Sequence, residues 1–380
     1  MVTPMLLLGS LASIPPGSSA LPPDCVPATT LSIAGPDRSL AIRAQKLVLG
    51  DGRVVDKGTI LIEGGVIRAV GGDVDVPGDA VVVDHEGWVS AGLVALHGYA
   101  GAPNEMRDST RTSLPTAEVA YGFDPAHPDF SDALAAGITS LVLTPPAQSL
   151  CGGISAVVKS AGGRVVKKDA QLSLGFSAQC LRDDRAPTSY SGALAELERL
   201  FEKAEGPFAQ AARGKLPVIL EASSKEDVAR AAAFARRHDL VGAIHGAAWA
   251  GELADAIQAA RLAVVCGPID PGDARRDLLA VLALAKAGVP IGFGLESPWR
   301  HPATLRVGAA MCARAGLERA AAWKALTSDA ARIAGVADRV GGLERGLDAD
   351  LVLWSGDPLD LGSSVVAVFV DGRRVFGKEP

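Results

Sequence analysis

Aromatic residues fill only 4% of this 380-residue chain, so any core must be built from aliphatic side chains and alanine. No apolar run approaches the roughly 20 residues of a membrane-spanning helix. There is no basic block, and the formal net charge is −6, which argues against nucleic acid or an anionic membrane as the partner. Cysteine is sparse as well. Cys25, Cys151, Cys180, Cys266 and Cys312 lie far apart with no C-x-x-C pair, which reads as free, ordinary thiols and not as a disulfide framework or a cysteine zinc site.

Lys and Arg are also missing before Arg38, which bears on the N-terminus. Met5 to Ile14 is a short apolar run, and Ser18-Ser19-Ala20 offers small residues for cleavage. The stretch is similar to a secretory signal without its positive leading region. The expectation is a signal peptide and linker over residues 1–33 and a periplasmic or secreted protein; if the segment is only a tail, the protein is cytoplasmic.

What is present is a globular composition, 48% hydrophobic and 21% charged. From Leu40 short β-rich runs alternate with Asp51-Gly52, Lys57-Gly58 and Gly64-Gly65, dipeptides that signal hairpin turns. That texture returns only near the end, around Asp371-Gly372. Two β-rich segments at opposite ends can form one unit, because domain termini often lie close together. Between them apolar strands alternate with helices, for example "KLPVILEAS" and then "KEDVARAAAFARRHD" with Ser224 and Asp227 as a capping-box variant. Continuous apolar strands separated by helices imply a parallel sheet covered on both faces. The fold class expected is α/β: a (β/α)8 TIM-like barrel over 91–335, with a small composite β-sandwich from 34–90 and 336–380.

Barrel sites lie at the C-terminal strand ends. Four such ends carry His97, Glu221, His245 and Glu296. His127 and His301 lie in Pro-containing loops and rank lower, as substrate contacts. His85 belongs to a β-sandwich turn, and His238 to a helix C-terminus that favours a cation; both are structural.

From about residue 40 to 376 the chain resembles the amidohydrolase superfamily, in particular its imidazolonepropionase-like and prolidase-like branches. The resemblance rests on "VVVDHEGWVSAGLVALHGYAG", "ALAAGITSLVLTPP", "KALTSDAARIAG" and, most specifically, "RVGGLERGLDADLVLWSGDP". It implies one or two divalent metals held by a His-x-His on the first barrel strand, histidines on the fifth and sixth, and an aspartate on the eighth. Carried over, His97 keeps the first histidine and Tyr99 stands where the second would be. Glu221 replaces the fifth-strand histidine, Ser223 a further one, His245 keeps the sixth, and Glu296 stands for the aspartate. Ala91 and Ala95 replace a proline and an aspartate ahead of His97. Lys159 is a loose candidate for the bridging lysine of some branches, against the commoner solvated surface lysine.

The implied metal set is therefore His97, Glu221 and His245, with Glu296 as proton acceptor and Tyr99 and His301 as substrate contacts. Three ligands suffice for one zinc and leave an open position; two ions do not fit this depleted set. Two main readings stay open. One is a hydrolase that cuts a non-peptide carbon–nitrogen bond, amide or cyclic amide, of a small molecule with a single divalent metal, zinc by preference. The other is a catalytically inactive homologue that keeps the fold as a binding or partner subunit, paired with an intact relative; for the chain as a whole the expected partners are a second copy or such a homologue, and the metal is one ion at most or none. Metal-free chemistry by Glu296 and Tyr99 is a third.

Overall fold

The computed structural model describes residues 38–102, 106, 108, 110–269 and 274–377. The expected signal peptide lies outside these residues.

Four strands open the described chain: β1 (Leu40–Val48), β2 (Val54–Glu63), β3 (Val66–Gly71) and β4 (Val81–Ala91). Three more close it: β15 (Leu351–Trp354), β16 (Val365–Val370) and β17 (Arg373–Phe376). All seven belong to one sheet, ordered β17-β16-β15-β4-β1-β2-β3. The two ends of the chain meet where β15 runs antiparallel to β4, with Leu351 opposite Ala91 and Trp354 opposite Trp88, and again where Ile67 of β3 exchanges backbone hydrogen bonds with Gly346 and Leu347. The buried face carries Ile42, Leu47, Ile60, Val89, Leu353 and Phe369, the branched and aromatic side chains that suit a half-buried pleated surface. Asp51-Gly52, Gly64-Gly65 and Asp371-Gly372 fall in the turns between paired strands. Lys57-Gly58 does not. It lies inside β2, where Lys57 takes a left-handed φ of 52°. His85 likewise lies within β4 and not in a turn, its Nε2 bonded to the carbonyl of Trp354 at 2.8 Å.

The middle of the chain carries the other strands: β5 (Leu93–Gly98), β6 (Ile138–Leu143), β7 (Cys151–Ile154), β8 (Ala156–Lys159), β9 (Val165–Lys167) and β10 (Leu172–Gly175). After them come β11 (Val218–Glu221), β12 (Gly242–His245), β13 (Ala263–Cys266) and β14 (Ile291–Phe293). Strands β10 to β14 are parallel neighbours in sequence order, and β5 is parallel to β6. A bridge between Leu96 and Gly294 links β5 to β14. The fold is mixed α/β, as expected, but the barrel does not close among the described residues. β6 pairs antiparallel with β8, and β10 pairs antiparallel with β7. The reason is local: Gly162-Gly163 turns β8 back onto β9, and the short strands β7 to β9 form ribbons where a crossover helix would otherwise sit.

Helices cover these strands: α1 (Pro128–Ala135), α2 (Tyr190–Lys203), α3 (Gly206–Ala212), α4 (Lys225–Arg237) and α5 (Ala254–Ala259), followed by α6 (Ala274–Lys286), α7 (Thr304–Arg314), α8 (Arg319–Leu326) and α9 (Ser328–Ile333). Helix α4 shows why such segments are helical. Val228, Ala231, Ala232 and Ala235 recur on one buried face. Ser224 accepts from the amide of Asp227, whose carboxylate accepts from the Ser224 amide, so orphan donors at the first turn are matched.

Lys159 is neither a surface lysine nor a metal bridge. It is fully buried near the start of β6, opposite Ser140, and pairs with Asp350 at 2.5 Å and Asp348 at 2.9 Å. Arg339 completes the cluster on Asp348. The ammonium thus ties β8 to the loop entering β15, at the strand ends remote from His97 and His245.

Candidate active site

Strands β5, β11 and β12 deliver His97, Glu221 and His245 at or next to their C-terminal ends, and Glu296 follows β14 three residues on. Parallel pairing sets the register: Glu221 lies directly beside His245. Gly246 lets the chain pass this point, since a Cβ there would sit 1.8 Å from the carbonyl oxygen of Ala222. His97 and Glu296 both take left-handed backbone conformations, φ 56° and 53°, which residues with a Cβ adopt at some cost and which cluster at functional sites. The amides of Leu295 and Glu296 both donate to the carbonyl of His97 at 3.1 Å, and that of Tyr99 donates to the carbonyl of Ser297 at 2.8 Å. The two irregular segments therefore fix each other.

The Glu221 carboxylate joins both histidines. His97 Nε2 donates to Oε1 at 2.9 Å, and His245 Nδ1 donates to Oε2 at 2.8 Å. The rings stack with centroids 3.5 Å apart and 15° between planes. All three residues are buried. Burial opposes the charge on Glu221, but the two imidazoles outweigh it and hold its carboxyl well below the ordinary value. Burial likewise opposes a charge on His245, yet Glu221 and then Glu296 carry its pKa above the ordinary value. Glu296 Oε1 stands 3.7 Å from His245 Nε2, beyond direct hydrogen-bond reach.

The other nitrogen of each ring, His97 Nδ1 and His245 Nε2, is buried with no hydrogen-bond partner, which buried polar atoms rarely tolerate. One ligand atom from each of His97, Glu221 and His245 can be chosen so that all lie within 4.8 Å of one another. Donor chemistry and spacing suit a single small divalent cation, which binds such nitrogen and oxygen atoms at about 2.0–2.2 Å.

A cavity of about 410 Å³ opens beside this cluster, lined among others by Tyr99, Ser177, Glu221, Ser223, His245 and Glu296. His97 does not line it. Tyr99 packs edge-on to His97 at 5.4 Å and to Trp299 at 4.7 Å. Burial, then the charges of Glu221 and Glu296, drive the Tyr99 phenol far above its ordinary pKa, so it stands as a neutral O–H. His301 is not part of this cavity; it lines an adjoining recess of about 200 Å³, and Trp299 borders both. His127 caps α1, accepting from the amide of Asp129. His238 is the C-cap of α4 and bonds Glu198 at 2.7 Å. Sequence reasoning passed over Ser177, Asp277 and Trp299, which also line the cavity. Only Trp299, three residues beyond Glu296, carried a signal by position.

A family model described as the amidohydrolase family matches residues 174–376, just over half of the chain. The amidohydrolase tasK of Hapsidospora irregularis is 22% identical over 400 residues, covering 84% of this chain and 40% of that protein. This chain thus spans about 40% of the length of the curated relative it matches. An amidohydrolase structure from Thermotoga maritima aligns with a TM-score of 0.81 at 26% identity, covering 89% of this chain and 100% of that one. A Xaa-Pro dipeptidase structure with methionine in its active site aligns with a TM-score of 0.56 at 16% identity, covering 89% and 100%. That last likeness shows the fold alone.

Proposed function

We propose, from the premise that this chain belongs to the amidohydrolase family, that it hydrolyses a non-peptide carbon–nitrogen bond, in an amide or cyclic amide, at a mononuclear metal site. The observation that carries this reading is the pair of buried, unpartnered imidazole nitrogens joined through Glu221 beside a cavity. His97, Glu221 and His245 would hold one ion, zinc by donor preference. Such an ion supplies Lewis acidity, acidifying water and polarising the amide carbonyl. Glu296, one-third exposed and within 3.7 Å of His245, accepts the proton of the attacking water and returns it to the leaving nitrogen. Tyr99 keeps its proton and offers an O–H donor from the cavity wall. His301 meets a substrate long enough to enter the adjoining recess. The one sheet built from both chain ends supports reading 34–90 with 336–380 as a single β unit beside a TIM-like 91–335, whose barrel does not close among the described residues.

A second reading has its own observation. Both Glu221 oxygens are already occupied by imidazole N–H groups, so the cluster is satisfied as an ion pair in an inactive homologue. Metal analysis of protein purified without chelator separates the two. About one equivalent of zinc, and amide hydrolysis lost in Glu296→Gln with the metal retained, is the expected outcome. No zinc, manganese, iron or nickel at micromolar free metal would reject the hydrolase.

A further inference from the structure

Of the chain's five tryptophans, Trp323 and Trp354 are buried and Trp88 and Trp249 are half-buried, but Trp299 is 58% exposed. An indole is normally covered over most of its surface, and this one stands at a junction. The cavity of about 410 Å³ beside the histidines and the adjoining recess of about 200 Å³ share three lining residues, Pro268, Ile269 and Trp299. All three are apolar. The indole is held in place at two points: Tyr99 meets it edge-on at 4.7 Å, and the Trp299 amide donates to the carbonyl of Glu296 at 3.0 Å. Ile269 is buried and backed by Gly308 of α7, where a Cβ would stand 3.6 Å from its own Cβ. Asp277 borders the cavity and Arg300 the recess, and each is already engaged with other groups. Ser177 Oγ, also on the cavity wall, is fully buried without a hydrogen-bond partner. Buried hydroxyls rarely stay so, and a polar group on an occupant of the cavity would supply that bond.

We infer that this apolar junction is the subsite for a planar aromatic group of the ligand, an aryl or heteroaryl ring carried on an amide, with Trp299 as the surface it packs against. The inference rests on the hydrolytic reading for the word substrate, which would then be an N-aryl or aryl-acyl amide; the preference for a flat ring is a binding property in its own right. A ring gains twice here. Covering its apolar area is worth roughly ten- to a hundredfold in affinity. Offset or edge-on contact with an indole adds roughly two- to tenfold beyond that area, which a saturated ring of the same size does not receive.

Three neutral amides with the same acetyl head test it: acetanilide, N-cyclohexylacetamide and N-methylacetamide. Their binding to the full chain is measured by calorimetry with chelator present, and by protection of tryptophan emission from iodide, which reaches the exposed Trp299 most readily. Acetanilide is expected to bind roughly two- to tenfold more tightly than N-cyclohexylacetamide and at least about tenfold more tightly than N-methylacetamide, and to shield the emission. Trp299→Leu keeps an apolar side chain without an aromatic face and should erase the advantage over N-cyclohexylacetamide, whereas Trp299→Phe should keep most of it. Both changes fall at an exposed position, so folding should be unaffected. No binding of acetanilide at millimolar concentration, equal binding of acetanilide and N-methylacetamide, or an unchanged preference in Trp299→Leu would each overturn the inference. Failure of hydrolysis or of zinc binding, by contrast, would leave the probe order intact and refute only the reading above.

Discussion

Glu221→Gln is the substitution that isolates the cluster, because it keeps the side chain's shape and removes its charge. The carboxylate accepts from His97 Nε2 at 2.9 Å and His245 Nδ1 at 2.8 Å, in a site with all three residues buried. Each charge-assisted bond contributes about 1.5–3 kcal/mol. Glutamine retains one acceptor but turns an NH2 group toward the second ring, so roughly 2–4 kcal/mol should be lost. At about 2–4 °C per kcal/mol for a large domain, thermal unfolding should fall by roughly 5–10 °C. The pH profile follows from the two shifts. Glu221 lies below its ordinary 4.5, so its contribution is present above that pH and is lost as pH falls through the folded value. His245 lies above its ordinary 6.5, so its contribution is full below that pH and is lost as pH rises through the folded value. The gap between wild type and Glu221→Gln should therefore be widest between about pH 5 and 6.5. Scanning calorimetry with chelator present measures it. Glu296→Gln is the control; with its carboxylate 3.7 Å from His245 Nε2 and partly exposed, it should change stability by under about 0.5 kcal/mol. A Glu221→Gln protein as stable as wild type at pH 6, or a costlier Glu296→Gln, would refute the reasoning.

His245→Ala removes one of two imidazoles and leaves a donor set poor in nitrogen, so elemental analysis should find zinc reduced from about one equivalent to none. Zinc uptake must displace the proton that Glu221 and Glu296 hold on His245, so affinity should rise with pH and calorimetry in buffers of different ionisation heat should register proton release; a pH-independent affinity would count against ligation by His245. Lys159→Met strips the buried carboxylates of Asp348 and Asp350 of their ammonium and should cost about 3–5 kcal/mol in denaturant unfolding, part of it recovered by adding Asp350→Asn.

Much of the site was legible because strand ends are a positional code. His97, Glu221, His245 and Glu296 each close or follow an apolar run, and parallel pairing turns that into proximity. The pairing geometry was not legible, since the sequence does not say that one carboxylate will bind both rings. Lys159 was misread for a related reason: its partners Asp348 and Asp350 lie some 190 residues away, beyond any local pattern. The barrel expectation overreached where hairpin ribbons replace a crossover, because short apolar runs bounded by glycine serve parallel and antiparallel strands alike. Lys57-Gly58 looks like a turn and is instead an irregularity within β2, as dipeptide propensity cannot see the partner strand.

The seam between β4 and β15 sets a timetable for synthesis. Ala91 leaves the ribosome about 260 residues before Leu351, an interval of roughly 13–50 s at ordinary elongation rates. Throughout it, β4 has β1 on one side and an open row of backbone donors and acceptors on the other. A second nascent chain at the same stage presents the same vacancy, and β15 to β17 of either molecule can fill it. Slow decoding between these points should thus yield exchanged dimers, and a premature stop after β14 aggregates nucleated at β4, without any change at the end of the molecule that carries His97, Glu221 and His245.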